Sequence, residues 1–572
     1  MDTPAAPRGI TKYLPFLSWL PHYQRTWLWL DLLAGLIAAA VVIPQAMAYA
    51  TIAGLPVQVG LYVALLPMLA YALLGTSRPL SVSSTSALSM LAASALLTVV
   101  GTASSPSDYI LPAATLALLV GVFLVLAALL RLGFLADFIS LPVLNGFKAG
   151  IGVVIFVSQL GKVLGLSVPS GSSVFATLGT ILTSLGQINW PTLALAALTL
   201  AILFLLPRFA PRIPAALVAV AMGIGVSAAF DITALGISLI GNIPAGLPAL
   251  SLPDLSMVRS LWLPAIGIAL MSFTESSAAA RAFREHGDPE TDANQELFAL
   301  GIANIAGGLT QAYPAGGGTS QTAVNAKAGA KTQMAELVTV AVVVLTLLFL
   351  APLISLMPEA TLGALVLVAA VGLVSVSEFR EMAQVRRTEV IWALLAFGGV
   401  IVLGVLEGIL VAVLFSLLTL LSQVARPPVY ALTRKPGTDV FRPLGDHPDD
   451  ETFPGLLITR TEGRVFFANV SGVIGKLRQL IQLTSPQPQV VVLDCAAIPD
   501  FEYTALKALA KFEEQLHNAG ILLWLAAINP NVLPLLKRAP LGNKLGDERI
   551  FPNLEQAVES YLQRFEQGVS NG

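Results

Sequence analysis

One short polar stretch decides how this sequence folds: Ala315-Gly316-Gly317-Gly318-Thr319-Ser320-Gln321. It interrupts a series of long apolar runs and opens a segment, 319–330, that is too short and too polar to cross a membrane alone. A second stretch of the same kind, Ser81-Val82-Ser83-Ser84-Thr85-Ser86, opens the segment 85–100. Two such half-helices at corresponding places in the two halves of a chain suggest an inverted repeat, with a binding site near the bilayer midplane.

The composition around these stretches is that of a membrane protein with a soluble tail. Of 572 residues, 55% are hydrophobic and 12% charged, where a soluble protein has about 25% charged residues. Residues 426–572 hold 31 of the 66 charged side chains. The sequence therefore predicts a large membrane domain followed by a smaller soluble one.

A hydrocarbon core about 30 Å thick requires roughly 20 apolar residues of helix for each crossing. With the two short segments included, this length criterion predicts fourteen transmembrane segments in a seven-plus-seven arrangement. We expect the first span to be broken at Pro44. The full spans are 31–54, 59–75, 110–132, 141–165, 191–207, 213–230, 262–283, 293–311, 334–352, 361–376, 388–404 and 408–425.

The positive charges predict the orientation. With a cytoplasmic N-terminus, the outer loops and helix ends receive only Lys162 and Arg259. Because lysine and arginine resist translocation, both termini are predicted to be cytoplasmic, in a multi-pass protein of the cell membrane. The inner loops receive Arg78, Arg131, Arg208, Arg212, Arg281, Arg284, Lys327, Lys331, Arg380, Arg386, Arg387 and Arg426.

The half-helices also predict the kind of ligand. A helix N-terminus presents free backbone N–H groups and about half a positive charge, so two facing N-termini make an anion site. Thr85, Thr319 and Ser320 add hydroxyl donors, although a hydroxyl bonded back to its own helix is the usual alternative. Glycine and serine that serve only close helix packing are the other interpretation of these stretches.

Glu275 lies inside a predicted span. An ionised carboxylate there costs several kcal/mol unless it is protonated, paired or facing water, so Glu275 is a candidate for proton coupling. A structural ion pair with Arg281 or Lys148 is the alternative, and we interpret Lys148 as snorkelling toward the inner interface.

Gln45 and Tyr49 lie four residues apart and share a helical face. An amide and a phenol are suitable neutral donors to an oxyanion, so both are candidate ligands. A tyrosine near a helix end also serves as an interface anchor, and the sequence leaves that alternative open.

Several functional classes are excluded by the composition. A net charge of −2 gives no basic field for nucleic acid. One cysteine, and four histidines outside the long apolar runs, predict no metal site. Because the chain carries no phosphate-binding loop, nucleophile elbow or dinucleotide fingerprint, we expect neither an enzyme nor a cofactor.

Several motifs resemble the sulfate permease family, also called solute carrier family 26. They are Ile43-Pro44-Gln45-Ala46-Met47-Ala48-Tyr49-Ala50, Gly60-Leu61-Tyr62 with Gly75-Thr76-Ser77-Arg78, and Gly318-Thr319-Ser320-Gln321-Thr322-Ala323-Val324-Asn325 with Ala328-Gly329-Ala330-Lys331-Thr332.

The resemblance implies a core domain that moves against a gate domain, with an anion held between the tips of the third and tenth segments. It implies Gln45, Tyr49, Thr85 and Ser320 as ligands and Glu275 as the coupling residue. It also implies a homodimer. Gln321 is also predicted to bind the substrate, although it is a departure from the family pattern, because many members have arginine after the serine of the tenth segment.

The tail resembles a STAS domain, with strands predicted at 455–460, 464–468, 489–494 and 520–526 and helices at 470–483, 502–518 and 530–539. Thr504 matches the position of a phosphorylated serine in anti-sigma-factor antagonists, and plain capping of a helix is the alternative that we favour. The predicted domains are 1–30 (a cytoplasmic segment with interfacial aromatic residues), 31–425 (transmembrane), 426–453 (linker and start of the tail) and 454–572 (STAS).

The sequence therefore predicts secondary active transport of a small inorganic anion by alternating access, with sulfate as the leading substrate and proton symport as the coupling. The alternatives are an uncoupled anion exchanger or channel, a bicarbonate or dicarboxylate transporter of the same family, a nucleobase symporter, and a sensor that signals through the tail. The predicted partners are the anion, the proton, the lipid bilayer and a second copy of the chain, and no nucleic acid.

Overall fold

The structure is a computed structural model that describes residues 14–101, 105–134, 140–168, 173–210, 213–241, 243–284, 288, 290–445 and 447–566. The contacts within the chain divide it into two units, Met1–Ser416 and Leu417–Gly572. Each unit is described by itself.

The first unit is almost entirely helical, as its long apolar runs predict. After a short helix at Phe16–Trp19, its helices are α1 (Arg25–Ile52), α2 (Val57–Val63), α3 (Leu66–Leu74), α4 (Ser86–Val100), α5 (Ile110–Leu129), α6 (Leu141–Leu164), α7 (Val174–Thr183), α8 (Trp190–Phe209), α9 (Ala215–Ala229), α10 (Val258–Ala282), α11 (Ala293–Leu309), α12 (Thr319–Lys327), α13 (Met334–Leu345, extended by a π-helical turn at Thr346–Leu350 and by Ala351–Ile354), α14 (Glu359–Gly372), α15 (Val376–Val385), α16 (Arg387–Leu403) and α17 (Val405–Ala425), which begins in this unit.

Among the described residues, eight helical segments are long and apolar enough to cross a bilayer. The half-helices α4 and α12 are shorter, with 15 and 9 residues, as their polar openings predict. The count of fourteen crossings stays a prediction. Pro44 lies inside the continuous helix α1, so the predicted break is wrong. In a membrane helix, neighbouring groups compensate for the hydrogen bond that proline removes.

The helices of this unit pack in two groups. In the first, α1 packs against α2, α12 and α13, α5 packs against α10 and α11, and α3 packs against α11. In the second, α6 packs against α14 and α16, and α8 packs against α9 and α14. The groups meet where α1 contacts α9 and α14 and where α4 contacts α6. Helix α4 packs against α10 and belongs to the first group, and α15 packs against α6 and α16 and belongs to the second. We call the first group the core and the second the gate.

Two helices of the membrane unit were not predicted. Helix α7 follows α6, and α15 lies between α14 and α16. The predicted span 361–376 ran into the start of α15, whereas α14 ends at Gly372. Helix α15 is amphipathic, and its N-cap residue is Ser375, whose hydroxyl accepts the N–H of Glu378.

The second unit is an α/β fold. The first unit holds only two short strands, β1 (Val82–Ser83) and β2 (Gly316–Gly317), among its described residues. The strands of the second unit are β3 (Val429–Arg434), β4 (Phe441–Pro443), β5 (Leu456–Thr461), β6 (Val490–Asp494), β7 (Leu522–Ala526) and β8 (Ile550–Phe551), and the helices are α18 (Val470–Leu483), α19 (Tyr503–Asn518), α20 (Leu533–Arg538), α21 (Pro540–Leu545) and α22 (Leu554–Tyr561). The strands form one six-stranded sheet in the order β4-β3-β5-β6-β7-β8. The strands β5, β6, β7 and β8 are parallel, and β3 and β4 add antiparallel pairs at one edge.

Side chains alternate between the two faces of this sheet, and each face packs in its own apolar cluster. Val491 of β6 packs in a cluster with the apolar faces of α18 and α19, whereas its neighbours Val490 and Val492 pack with Trp524 and α22. The predicted strand at 464–468 is wrong. Asn469 forms a turn there, because its side chain accepts the N–H of Phe466 and donates to the carbonyl of Arg464.

The single cysteine of the chain lies in this unit, and its reactivity tests whether the unit is folded as described. Cys495 follows β6 and is 1% exposed, and burial together with the neighbouring Asp494 raises the pKa of its thiol. The thiolate is the reactive form, so we expect a maleimide to label the native protein at least about tenfold more slowly than the urea-unfolded chain. Equal labelling rates would show that the thiol is accessible in the folded tail.

Candidate functional site

The two half-helices are joined at their N-terminal ends by a short antiparallel pair of strands. The strand β1 (Val82–Ser83) leads into α4, and β2 (Gly316–Gly317) leads into α12. Val82 pairs with Gly317, and Ser83 pairs with Gly316. The N–H of Gly318 also donates to the carbonyl of Ser81 at 3.2 Å. The two polar stretches that the sequence singled out therefore lie side by side, 230 or more residues apart along the chain.

The two helix ends differ in how their N–H groups are used. Thr85 is the N-cap residue of α4, and its hydroxyl accepts the N–H of Leu88 at 3.3 Å. Helix α12 begins after Gly318, which has no side chain to cap it. The first N–H groups of α12 therefore have no intrahelical acceptor and are available to a ligand. The side chains of Thr319 and Ser320 are exposed there.

A cavity of about 450 Å³ lies at these helix ends. Its wall comes from α1, α4, α10 and α12 of the core and from α6, α14 and α15 of the gate. The structure brings every predicted site residue to this wall: Gln45, Tyr49, Thr85, Glu275, Thr319, Ser320 and Gln321.

Glu275 is buried in α10 and contacts the end of α4 directly. The hydroxyl of Thr85 donates to Oε2 of Glu275 at 3.1 Å. Lys148, on helix α6 of the gate, interacts electrostatically with the same carboxylate. Lys148 is part of the cavity wall, and its snorkelling toward the inner interface stays a prediction. A core carboxylate and a gate ammonium thus face the same cavity.

Tyr49 is buried in the cavity wall, which it shares with Ser86 of α4 and Ser320 of α12. One turn earlier in α1, Gln45 lies in the same wall, and its buried Oε1 accepts no hydrogen bond from the described part of the chain. The face that Gln45 and Tyr49 share therefore presents an amide and a phenol to the cavity, as their spacing predicts.

The comparisons with known proteins identify the architecture around this site. Residues 28–396 match the sulfate permease family, and residues 447–557 match the STAS domain. The chain belongs to the sulfate permease family. A probable sulfate transporter of Mycobacterium tuberculosis (strain H37Rv) is 40% identical over 545 residues, which are 95% of this chain and 97% of that protein.

Further relatives agree with the family. The chloroplastic sulfate transporter 4.1 of Arabidopsis thaliana is 32% identical over 97% of this chain and 83% of its own length. Among solved structures, murine Solute Carrier 26 family member A9, an anion transporter in the inward-facing state, matches with a TM-score of 0.89 at 23% identity over 98% of this chain and 97% of that chain. The transmembrane domain of the cyanobacterial bicarbonate transporter BicA matches with a TM-score of 0.58 at 25% identity over 69% of this chain and 98% of that domain.

Within this permease fold, Gln321 has a mainly structural environment. The residue is 1% exposed. Its Oε1 accepts the hydroxyl proton of Ser83 at 2.6 Å, and its Nε2 donates to the carbonyl of Ser84 at 3.3 Å. Although Gln321 reaches the cavity wall, its amide is engaged in holding α12 to the segment that enters α4.

The sequence did not identify every residue of this permease cavity. Ser86 belongs to the quoted polar stretch and lies in the cavity wall beside Thr85. Asn145 and Lys148 face the cavity from α6, and Glu378 faces it from the unpredicted helix α15. The signal for Asn145 was available, since an amide one turn before a charged residue inside an apolar span is unusual.

Proposed function

We propose that this protein is a secondary active transporter that carries a small inorganic anion, with sulfate as the leading substrate, in symport with protons by alternating access. One observation carries the proposal: two helix N-termini from distant parts of the chain begin side by side at one cavity. Their free N–H groups and partial positive charges favour an anion.

The donors around the cavity suit a desolvated oxyanion. Ser320 and Thr319 offer hydroxyl groups beside the free N–H groups of α12, and Tyr49 and Gln45 offer a phenol and an amide. Hydrogen bonds from neutral donors to an anion are stronger than bonds between neutral groups. The site therefore binds through dipoles and needs few fixed cations, which permits release on the other side.

The position of Glu275 supports proton coupling. An ionised Glu275 accepts the hydroxyl proton of Thr85, the residue that caps α4. The carboxylate therefore occupies the same positive helix end that an incoming anion would use, and two negative charges at one site repel each other. Protonation of Glu275 removes that charge, so we propose that proton uptake and anion binding favour each other.

The division of the cavity-wall residues between the core and the gate supports alternating access. Core helices carry the anion donors and Glu275, while the gate contributes Lys148 and the apolar surface of α14. A shift of the core relative to the gate would carry the whole donor set across the membrane without taking it apart.

We also propose the cell membrane as the location, with cytoplasmic termini and a homodimeric assembly. The orientation rests on the excess of lysine and arginine in the predicted inner loops. The dimer rests on the family resemblance.

The function is tested by uptake of labelled sulfate into proteoliposomes that contain the full chain. We expect uptake to increase when the outside is acidic, and unlabelled sulfate to compete more strongly than chloride, nitrate, bicarbonate or a dicarboxylate. Strongest competition by another anion would replace sulfate as the substrate. Uptake that does not respond to a pH gradient would favour the uncoupled exchanger or channel, and no flux at all would favour a sensor.

Lys148 gives a separate prediction for this mechanism. It is the one lysine or arginine of the cavity wall in the described part of the chain. A neutral side chain of similar length removes an attraction that is strongest for a divalent anion, so we expect Lys148→Met to weaken sulfate binding about tenfold and chloride binding less. Competition assays with both anions measure the difference.

The control for Lys148→Met is Lys162→Met, which removes a charge from the last turn of the same helix, outside the cavity wall. We expect sulfate binding to be retained in Lys162→Met and largely restored in Lys148→Arg. An equal loss for sulfate and chloride in Lys148→Met would argue that the lysine only supports the fold.

A further inference from the structure

A second buried carboxyl lies behind the half-helices, outside the cavity. Glu336 is in the first turn of α13 and is 0% exposed. Its Oε1 accepts a hydrogen bond from Nδ2 of Asn325 at 3.0 Å, and its Oε2 accepts one from the hydroxyl of Ser81 at 3.1 Å. The carboxyl therefore has two specific partners, and the transport mechanism proposed above uses none of the three residues.

These two partners belong to the two half-sites. Ser81 directly precedes β1, and its N–H donates to the hydroxyl of Thr322 in α12 at 3.2 Å. Asn325 lies in α12 and also donates to the carbonyl of Pro79 at 3.1 Å. Glu336 thus connects the segment that enters α4 with the helix α12. A change in its two hydrogen bonds acts on the place where the helix ends are held together.

The groups that bond Glu336 carry no charge. Among the described residues, no lysine or arginine forms an ion pair with its carboxyl. Burial without a cation favours the protonated acid, whereas two donors and the N-terminus of α13 favour the carboxylate. The surroundings of Glu336 therefore contain features that favour each of the two forms. The other titratable groups on the surrounding elements are Arg25, Asp31 and Tyr49 of α1, Tyr71 of α3, Lys327 of α12, and Arg78 and Lys331.

The two protonation states make different hydrogen bonds. An ionised Glu336 accepts from both Ser81 and Asn325, as the observed distances allow. A protonated Glu336 donates its own proton to the oxygen of Ser81, which reverses that hydrogen bond, while Asn325 still donates to the other oxygen. The proton therefore alters the contact with the α4 side and leaves the contact with α12 in place.

We propose that Glu336 is a second proton-binding carboxyl of this protein, and that its proton adjusts how the two half-helices are held together at the anion site. The effect on the anion rests on the proposed function, whereas proton binding by Glu336 does not. Glu336 acts through Ser81 and Asn325 and is a positioning residue.

Glu296 supplies a matched control. It is also a buried carboxyl, 2% exposed, and accepts hydrogen bonds from the hydroxyl of Tyr71, the N–H of Thr76 and the hydroxyl of Thr76 at 2.6–2.7 Å. These contacts join α11 to the end of α3 and do not include Ser81 or α12. Glu296→Gln should therefore leave the pH dependence of sulfate affinity unchanged.

The first experiment measures proton binding without any anion. Infrared difference spectra of the purified full chain, recorded between about pH 5.5 and about pH 8.5, should contain a carboxylic acid band that is absent in Glu336→Gln and present in Glu296→Gln. If no band depends on Glu336 over this range, the proposal is overturned, whatever the protein transports.

The second experiment measures the effect on the anion in a Glu275→Gln background, where the carboxyl that contacts the cap of α4 no longer titrates. We expect sulfate affinity to fall about tenfold between about pH 5.5 and about pH 8.5 in that variant, and less than about twofold when Glu336→Gln is added. An unchanged pH dependence in the double variant would overturn the positioning role.

Ser81→Ala is a milder variant that tests the proposal even if Glu336→Gln does not fold. Ser81→Ala removes a donor to the carboxylate, so the midpoint of the residual pH dependence should move to higher pH. An unmoved midpoint in a folded Ser81→Ala protein would contradict the role assigned to this hydrogen bond. If sulfate does not bind at all while the infrared band behaves as expected, the substrate is wrong and the proton site stands.

Discussion

Glu275→Gln should abolish the accumulation of sulfate against its gradient when the driving force is a pH difference. The amide keeps an oxygen that accepts the hydroxyl proton of Thr85, so the 3.1 Å contact with the cap of α4 can persist. It cannot exchange a proton with water. Proton uptake by the carboxyl that contacts the anion site can therefore no longer accompany anion binding, while the helix ends remain in place.

The expected magnitude follows from the energy of the gradient. Each pH unit is worth about 1.4 kcal/mol per coupled proton, which equals about tenfold accumulation. In Glu275→Gln this factor should fall to about one, while exchange of sulfate across the membrane continues at a reduced rate. Steady-state uptake and counterflow in proteoliposomes measure the two quantities separately.

Glu378→Gln is the matched control, because Glu378 is also an acid in the cavity wall but belongs to the gate helix α15. We expect it to retain pH-driven accumulation. If Glu275→Gln still accumulates sulfate, another carboxyl carries the proton. If the unmodified protein does not accumulate sulfate, the uncoupled exchanger or channel is the correct function.

The central residues of the site were predictable because the sequence patterns that mark them are local. Polar and glycine-rich residues inside an apolar chain are rare enough to mark the entries of α4 and α12, and a carboxylate inside a span marks Glu275. The four-residue spacing of Gln45 and Tyr49 is enough to place them on one face of α1. These predictions need no knowledge of which helices are neighbours.

The remaining features depend on tertiary contacts. Lys148 was interpreted as snorkelling because a lysine in a span usually does so, and only the packing of α6 against the core brings it to the cavity. Gln321 was predicted to face the anion, yet its partners Ser83 and Ser84 lie more than 230 residues earlier in the chain. In the tail, the β-forming residues at 464–468 were overridden by the turn that Asn469 stabilises.

The close pairing of β1 and β2 leads to the second large expected effect. A side chain at Gly317 would place its Cβ 2.7 Å from Cδ1 of Leu80 and 3.0 Å from the backbone Cα of Ser276. The backbone of Gly317 is also held in place, because its N–H donates to the hydroxyl of Ser276 at 2.7 Å. Any substitution must therefore push β2, and with it the start of α12, away from α10.

We expect Gly317→Ala to weaken sulfate binding by at least about tenfold, and Gly317→Val to abolish it, because overpacking of this kind costs about 1–3 kcal/mol. The control is Gly398→Ala in α16, where an added Cβ meets no atom within 4 Å. Equilibrium binding and the melting temperature in detergent are measured together. A Gly317→Val protein that is folded and still binds sulfate normally would show that the anion does not depend on the two helix ends being held side by side, and the proposed site would have to be abandoned.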